Sequence, residues 1–184
     1  MLDKADPVPD IAARLEMPVE TFRALTADST RLLLAGVITA QQFWERFSEQ
    51  TGRRVEEELW EEEFRPVVNL TVLSLVAKLR RRVRVVAGTN TMEPHWPALQ
   101  RSGVLASFDA VYASHHMGLV KPDPQFYWRI LREEECRPSE AVFFDDFSEH
   151  VRVAREIGMA AFPFRDPEDL KRRLASMGLL EGDV

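Results

Sequence analysis

The sequence predicts an α/β protein, a doubly wound parallel sheet behind a small α-helical subdomain, and three observations carry that prediction. From Pro66 onward, short apolar and β-branched runs alternate four times with helical runs at the spacing of βαβ units. The run Ala141-Val142-Phe143-Phe144 has no polar alternation, which suits a strand covered on both faces, and it ends in Asp145-Asp146. Before Pro66 the apolar residues recur every three to four positions, the period of amphipathic helices.

Residues 1–65 form the predicted helical subdomain. Ile11 and Leu15, then Val19, Phe22 and Leu25, repeat at helical spacing, with Pro18 opening the second helix and Gly36 closing it. Thr39-Ala40-Gln41-Gln42 is a capping box that starts a helix bearing Phe43, Trp44 and Phe47, and Gly52 stops it. Glu56 to Glu63 surround Leu59 and Trp60, and read as an amphipathic helix with an acidic wet face. Residues 66–184 form the predicted α/β core. A helix carries Leu70, Leu73, Val76 and Leu79 on one face, followed by a strand from Val83 to Ala87 and a helix from Pro94 to Arg101. Next come a strand at Ala110 to Ala113, a helix from Pro124 to Glu134, and the Ala141 strand. A helix from Phe147, a strand at Met159 to Phe164 and a helix from Asp166 complete the chain.

At 184 residues the chain can bury one good-sized core, and its 45% hydrophobic and 29% charged residues are ordinary for a globular protein. Cys136 is the only cysteine, so no intrachain disulfide can form, and a reducing cytoplasm is the expected compartment. The net charge of −6 argues against nucleic acid as a partner. Val67 to Leu79 is too short and too polar to span a bilayer, so no membrane partner is expected. The scattered histidines His95, His115, His116 and His150 lack paired ligand spacing, and the four tryptophans read as packing residues.

The chemistry concentrates between Gly118 and Asp146. Carboxylates at the C-terminal end of a parallel strand lie where open α/β sheets bind ligands, and a divalent cation beside a phosphate needs carboxylate oxygens together with a fixed ammonium. Lys121 and Asp145/Asp146 can supply both. Each also has a purely structural reading. Asp146 with Glu149 fits a capping box, Asp123-Pro124 fits an N-cap followed by proline, and Lys121 alone could be solvated. Their combination at strand ends favours the pocket.

With Thr89-Asn90-Thr91 at the end of one strand, His95-Trp96 downstream, Lys121 in a Lys-Pro-Asp-Pro loop, and Asp145-Asp146 ending another strand, the chain resembles the haloacid dehalogenase-like (HAD) hydrolases. The likeness runs from Pro66 to Asp169, with 32 residues separating Thr89 from Lys121 and 24 separating Lys121 from Asp145. It is similar to the branch of sugar-phosphate phosphatases and epoxide hydrolase N-terminal phosphatase domains. The resemblance implies a Rossmann-like core with a helical cap, Mg²⁺ as cofactor, and a small phosphorylated metabolite as substrate. It implies that Thr89, Asn90 and Lys121 bind phosphate, that Lys121 and Thr89 take part in the catalytic step, and that Asp145 and Asp146 bind the metal.

The family's first motif, an apolar strand ending in a nucleophilic aspartate, has no counterpart here, because Met1-Leu2-Asp3 is too short to build it. In the family that strand is central, so the strands ending at Gly88 and Phe144 are expected to have open edges. They could close on each other, accept a strand from another copy in a homo-oligomer, or belong to a product that starts further upstream. The expected function is therefore that of a HAD-like phosphatase scaffold, inactive as this chain. The alternative is a non-catalytic phosphate- or metal-binding or interaction protein, and 2-haloacid dehalogenation would need the same absent aspartate.

Overall fold

Prolines at two helix starts and side-chain caps at the other two set the starts of the helical layer in the computed structural model, which describes residues 2–4 and 6–180. Met1, where the sequence offers too short a lead for a buried strand, and the last residues of the predicted core, 181–184, lie outside that set. The layer comprises α1 (Val8–Arg14), α2 (Val19–Leu34), α3 (Ala40–Thr51) and α4 (Leu59–Glu62). Thr39 and Gln42 form the expected reciprocal box, with the Gln42 N–H donating to the Thr39 hydroxyl at 3.2 Å and the Thr39 N–H donating to Gln42 Oε1 at 2.9 Å. Gly52 ends α3 in the left-handed region, at φ 70°. The predicted acidic helix shrinks to the single turn of α4. Its apolar pair Leu59 and Trp60 is nonetheless fully buried, with Phe22, Phe43 and Phe47. Phe43 and Trp60 meet nearly edge to face, at 5.2 Å between ring centroids.

A short antiparallel pair, β1 (Leu2–Lys4) with β2 (Val67–Val68), brings the two ends of the helical layer together. Sequence periodicity is silent about strands this short. Asn69 reinforces the neck by donating to Asp3 Oδ1 at 2.7 Å while capping α5 (Leu70–Leu79) through the Val72 N–H. The buried face of α5 is Val72, Leu75, Val76 and Leu79; Leu70, placed on that face by the sequence pattern, is 76% exposed. An almost wholly apolar helix allows more than one stripe, and packing selects among them.

β3 (Val86–Thr89) runs parallel to β4 (Ala110–Ala113), and β5 (Val142–Asp145) runs parallel to β6 (Ala160–Pro163). The first of these strands starts later than its β-branched run suggests, since Val83 closes the turn after α5 by donating to the Leu79 carbonyl. Asp109 then aligns β3 with β4: its carboxylate accepts the Val85 N–H at 2.8 Å and its own N–H donates to the Val85 carbonyl. The connections are α6 (Trp96–Arg101), α7 (Ser114–Met117), α8 (Pro124–Glu133), α9 (Ser148–Glu156) and α10 (Pro167–Ser176). Asp123 caps α8 through the Gln125 N–H and Asp166 caps α10 through the Asp169 N–H.

Among the described residues, β3 and β5 form no ladder with each other, so the α/β core carries two parallel pairs rather than one continuous sheet. β5 is accordingly less covered than a strand buried on both faces: Val142 is exposed and Phe143 and Phe144 are half-buried. Trp128, expected to pack, also faces solvent. No described helix is long and apolar enough to cross a membrane.

Candidate functional site

The C-terminal tips of β3 and β5 converge on one side chain. Lys121 is only 9% exposed, and its ammonium donates to the Gly88 carbonyl at 2.9 Å and to Asp145 Oδ2 at 2.7 Å. It thereby spans from β3 to β5. Its charge also lies 5.8 Å from the centroid of the Phe126 ring and 5.7 Å from that of Phe143, within cation–π range. The loop that delivers it is clamped from β3: Asn90 Nδ2 donates to the Lys121 carbonyl and the Lys121 N–H donates to Asn90 Oδ1, both at 2.9 Å. The Asn90 side chain is thus committed to holding the lysine loop. Thr89 ends β3 beside Gly88, half-buried, and its hydroxyl forms no hydrogen bond among the described residues.

Asp145 is 8% exposed and fully engaged. Oδ2 accepts from Lys121, while Oδ1 accepts from the Phe147 N–H and from His150 Nδ1, each at 2.9 Å. Burial pushes its carboxyl upward. The hydrogen bond from His150, the charge and hydrogen bond of Lys121, and the Phe147 N–H together outweigh that and hold it well below the usual carboxylate range. The Tyr127 hydroxyl donates to the His150 carbonyl at 3.1 Å, and burial, with the charge of Asp145, pushes its phenol upward. Asp146 does not cap α9; the helix starts behind Phe147 with no side-chain cap. Its carboxylate is exposed and forms no hydrogen bond or ion pair among the described residues.

His150 is the site residue that sequence reasoning passed over. It lies on the first turn of α9, five residues after Asp145, and a strand, tight turn and helix bring the pair together. The legible signal was an Asp-x₄-His spacing across a predicted strand-to-helix turn.

No three His, Cys, Asp or Glu side chains converge on a common point among the described residues, so these residues build no all-protein metal cage. Mg²⁺ does not require one. It typically takes one or two carboxylates and completes its octahedron with water and phosphate oxygens. The unengaged carboxylate of Asp146, next to the charge-paired Asp145, fits that requirement. Two carboxylates against one ammonium also leave the tip net negative, so a phosphate dianion needs a cation beside it. Lys121 has three N–H donors and uses two, which leaves one for a phosphate oxygen.

The family model for haloacid dehalogenase-like hydrolases matches residues 16–163. Bifunctional epoxide hydrolase 2 of Rattus norvegicus is 37% identical over 67 residues, covering 36% of this chain and 12% of that protein, so the chain spans only a small part of that relative's length. D-ribitol-5-phosphate phosphatase of Bacteroides thetaiotaomicron is 25% identical over 149 residues, 76% of this chain and 72% of that protein. A solved HAD family enzyme of Bacteroides thetaiotaomicron superimposes with a TM-score of 0.76 at 23% identity, over 94% of this chain and 93% of the other. Its structure in complex with magnesium and inorganic phosphate gives a TM-score of 0.64 at 25% identity over 73% of each chain. The fold likeness and a family match that takes in the Thr89, Lys121 and Asp145 positions point the same way: the chain belongs to the haloacid dehalogenase-like hydrolase family.

Proposed function

We propose that this protein binds small phosphomonoesters at the joined tips of β3 and β5, with Mg²⁺ as the accompanying cation. The observation that carries this reading is the buried Lys121 ammonium, fixed by Gly88 and Asp145 with one donor to spare. A desolvated and immobile ammonium attracts a phosphoryl oxygen far more strongly than a solvated one does. Thr89 would contribute its free hydroxyl, and Asn90 acts by holding the lysine loop in place. Asp146 would hold the cation, whose chemistry when bound is to neutralise phosphate charge. Asp145 serves as the counter-ion that orients Lys121, and His150 orients Asp145.

The same geometry favours binding without covalent turnover. Among the described residues the acid at Lys121 is Asp145, and its oxygens already accept three hydrogen bonds, which lowers their nucleophilicity. Family membership and the likeness to D-ribitol-5-phosphate phosphatase support a second reading, hydrolysis of the bound ester. One experiment separates the two. The 184-residue chain is incubated with Mg²⁺ and a panel of sugar and polyol phosphates while ester binding and phosphate release are followed together. Binding lost in Lys121→Ala, with release no faster than the blank, supports the proposal. Release that disappears in Lys121→Ala and Asp146→Asn establishes the hydrolase, and absence of both binding and release refutes a phosphate site.

A further inference from the structure

At the end of β3 opposite Lys121, the α/β core has an open cleft of about 320 Å³ lined by Arg80, Arg81, Arg82, Val83, Arg84 and Asp109. It lies between the C-terminus of α5 and the start of β3. Its volume is at the small end of the range for small-molecule sites. Arg84 stands four residues before Gly88, where Lys121 is held, and four residues of extended chain span roughly 13 Å. The cleft and the proposed phosphate site are therefore at opposite ends of one strand.

Two of the four guanidiniums are already matched by carboxylates. Arg80 donates from Nε to Asp109 Oδ1 at 2.9 Å and from Nη1 to the Ala106 carbonyl at 3.2 Å, and Asp109 is held in turn by the Val85 N–H. Arg84 makes a two-pronged pair with Glu134, whose Oε1 also accepts the Tyr112 hydroxyl at 2.6 Å. Arg81 and Arg82, between them in sequence, form no side-chain hydrogen bond or ion pair among the described residues, although both line the cleft. Their backbone is fixed. The Arg81 N–H donates to the Lys78 carbonyl, and those of Arg82 and Val83 donate to the Leu79 carbonyl.

Basic residues after a helix often serve its C-terminal carbonyls. That role fits the position of Arg80, the C-cap of α5, but among the described residues neither Arg81 nor Arg82 bonds its side chain to any carbonyl. Two uncompensated guanidiniums around one cleft repel each other, in a chain whose net charge is −6. An anion seated between them removes that repulsion. Each guanidinium is a planar fork of N–H donors that matches phosphoryl oxygens bidentately, so two free forks suit two adjoining phosphoryl groups better than one. Val83 is the one apolar lining residue, and among the described residues no aromatic ring lines the cleft to stack a base. Recognition therefore stops at the phosphates.

We propose that Arg81 and Arg82, framed by Arg80 and Arg84, form a binding site for a diphosphate group, separate from the phosphate site at Lys121. Each phosphoryl group takes one free fork, while Arg80 and Arg84 keep their carboxylates and add positive potential at the rim. The site stands independently of the reading at Lys121. Because the ligand binds only the folded turn between α5 and β3, it also raises thermal stability.

The test is calorimetric titration of the 184-residue chain, without Mg²⁺ and at about 0.1 M ionic strength, with inorganic diphosphate, ADP, orthophosphate and citrate. Diphosphate is expected to saturate at least about tenfold tighter than orthophosphate or citrate, roughly one charge-assisted hydrogen bond. ADP should match inorganic diphosphate, since its base meets no ring. The double variant Arg81→Gln with Arg82→Gln changes two exposed, unpartnered side chains, so it should fold normally and bind diphosphate about tenfold more weakly or worse. Arg81→Lys with Arg82→Lys keeps the charge but loses the forks, and should recover only part of the affinity. In the wild type, the Arg81 and Arg82 Nε–H resonances should shift along the same saturation curve. Absence of saturable diphosphate binding overturns the proposal, as does full affinity in either double variant. Citrate or orthophosphate binding as tightly as diphosphate would reduce the cleft to a charged surface, and tighter binding of ADP would overturn recognition by phosphates alone. Diphosphate affinity that falls in Lys121→Ala but not in the glutamine pair would place the anion at Lys121, refuting this site while leaving the other standing.

Discussion

The helical layer and the joined tips of the α/β core are held together by different physics. In the layer, Phe22, Phe43, Phe47, Leu59 and Trp60 interlock without a charge among them, and their stability comes from apolar area removed from water. At the tips, Lys121 and Asp145 are buried as an ion pair with the His150 ring against the same carboxylate, and among the described residues the strands around them are paired on one side only. An apolar cluster is robust and indifferent to pH. A buried charge cluster contributes little net stability but strongly penalises loss of one member. The contrast teaches that the layer is organised around apolar burial and the tips around a buried ion pair, where the phosphate is proposed to bind.

The largest effect that would break this contrast is expected in the layer. Phe43→Ala should lose about 3–5 kcal/mol in chemical denaturation, with the loss unchanged by salt or by pH between 6 and 8. A loss below about 1 kcal/mol would mean that the aromatic cluster is loosely packed. Next comes Lys121→Met, expected to cost about 3 kcal/mol because Asp145 keeps only His150 and Phe147 as partners. The double replacement Lys121→Met with Asp145→Leu should cost less than the single one, since no unpaired charge remains. A double mutant that is worse than Lys121→Met would show that the pair is a true stabiliser.

Acid should probe the seam between the two regions. His95 takes up its proton at about 3 in the folded protein and near 6.5 when unfolded, so the unfolded chain binds the extra proton throughout that window. Stability is unaffected above about pH 6.5 and falls as pH drops toward 3, by at most about 1.4 kcal/mol per unit from His95. His95→Phe should flatten that slope in denaturation curves taken at pH 7, 6 and 5. The smallest effect belongs to Thr39→Ala, which removes one half of a capping box and should cost about 1 kcal/mol without changing ligand affinity.

How much of this was legible follows from the range of the interactions. The Thr39–Gln42 box, the Gly52 stop and the Asp123 cap are contacts within four residues, and the sequence states them directly. The strand-end placement of Thr89, Lys121 and Asp145 was legible because alternating strands and helices in a parallel sheet bring strand ends to one side. The clamp of Asn90 on the Lys121 backbone was not, since it joins residues 31 apart through side-chain geometry. Neither was the stacking of His95 under Phe64, which depends on how the helical layer settles on the core. The stripe on α5 was misplaced because ten largely apolar residues carry no amphipathic contrast to read.

The most direct measurement is titration of the wild-type chain and of Lys121→Ala with inorganic phosphate in the presence of Mg²⁺, followed by calorimetry. Saturable binding in the wild type that falls by about 100-fold or more in Lys121→Ala is predicted, the scale of a charge-assisted hydrogen bond in a desolvated site. Equal affinity in the two proteins, or none in either, would contradict a phosphate site at the joined tips of β3 and β5.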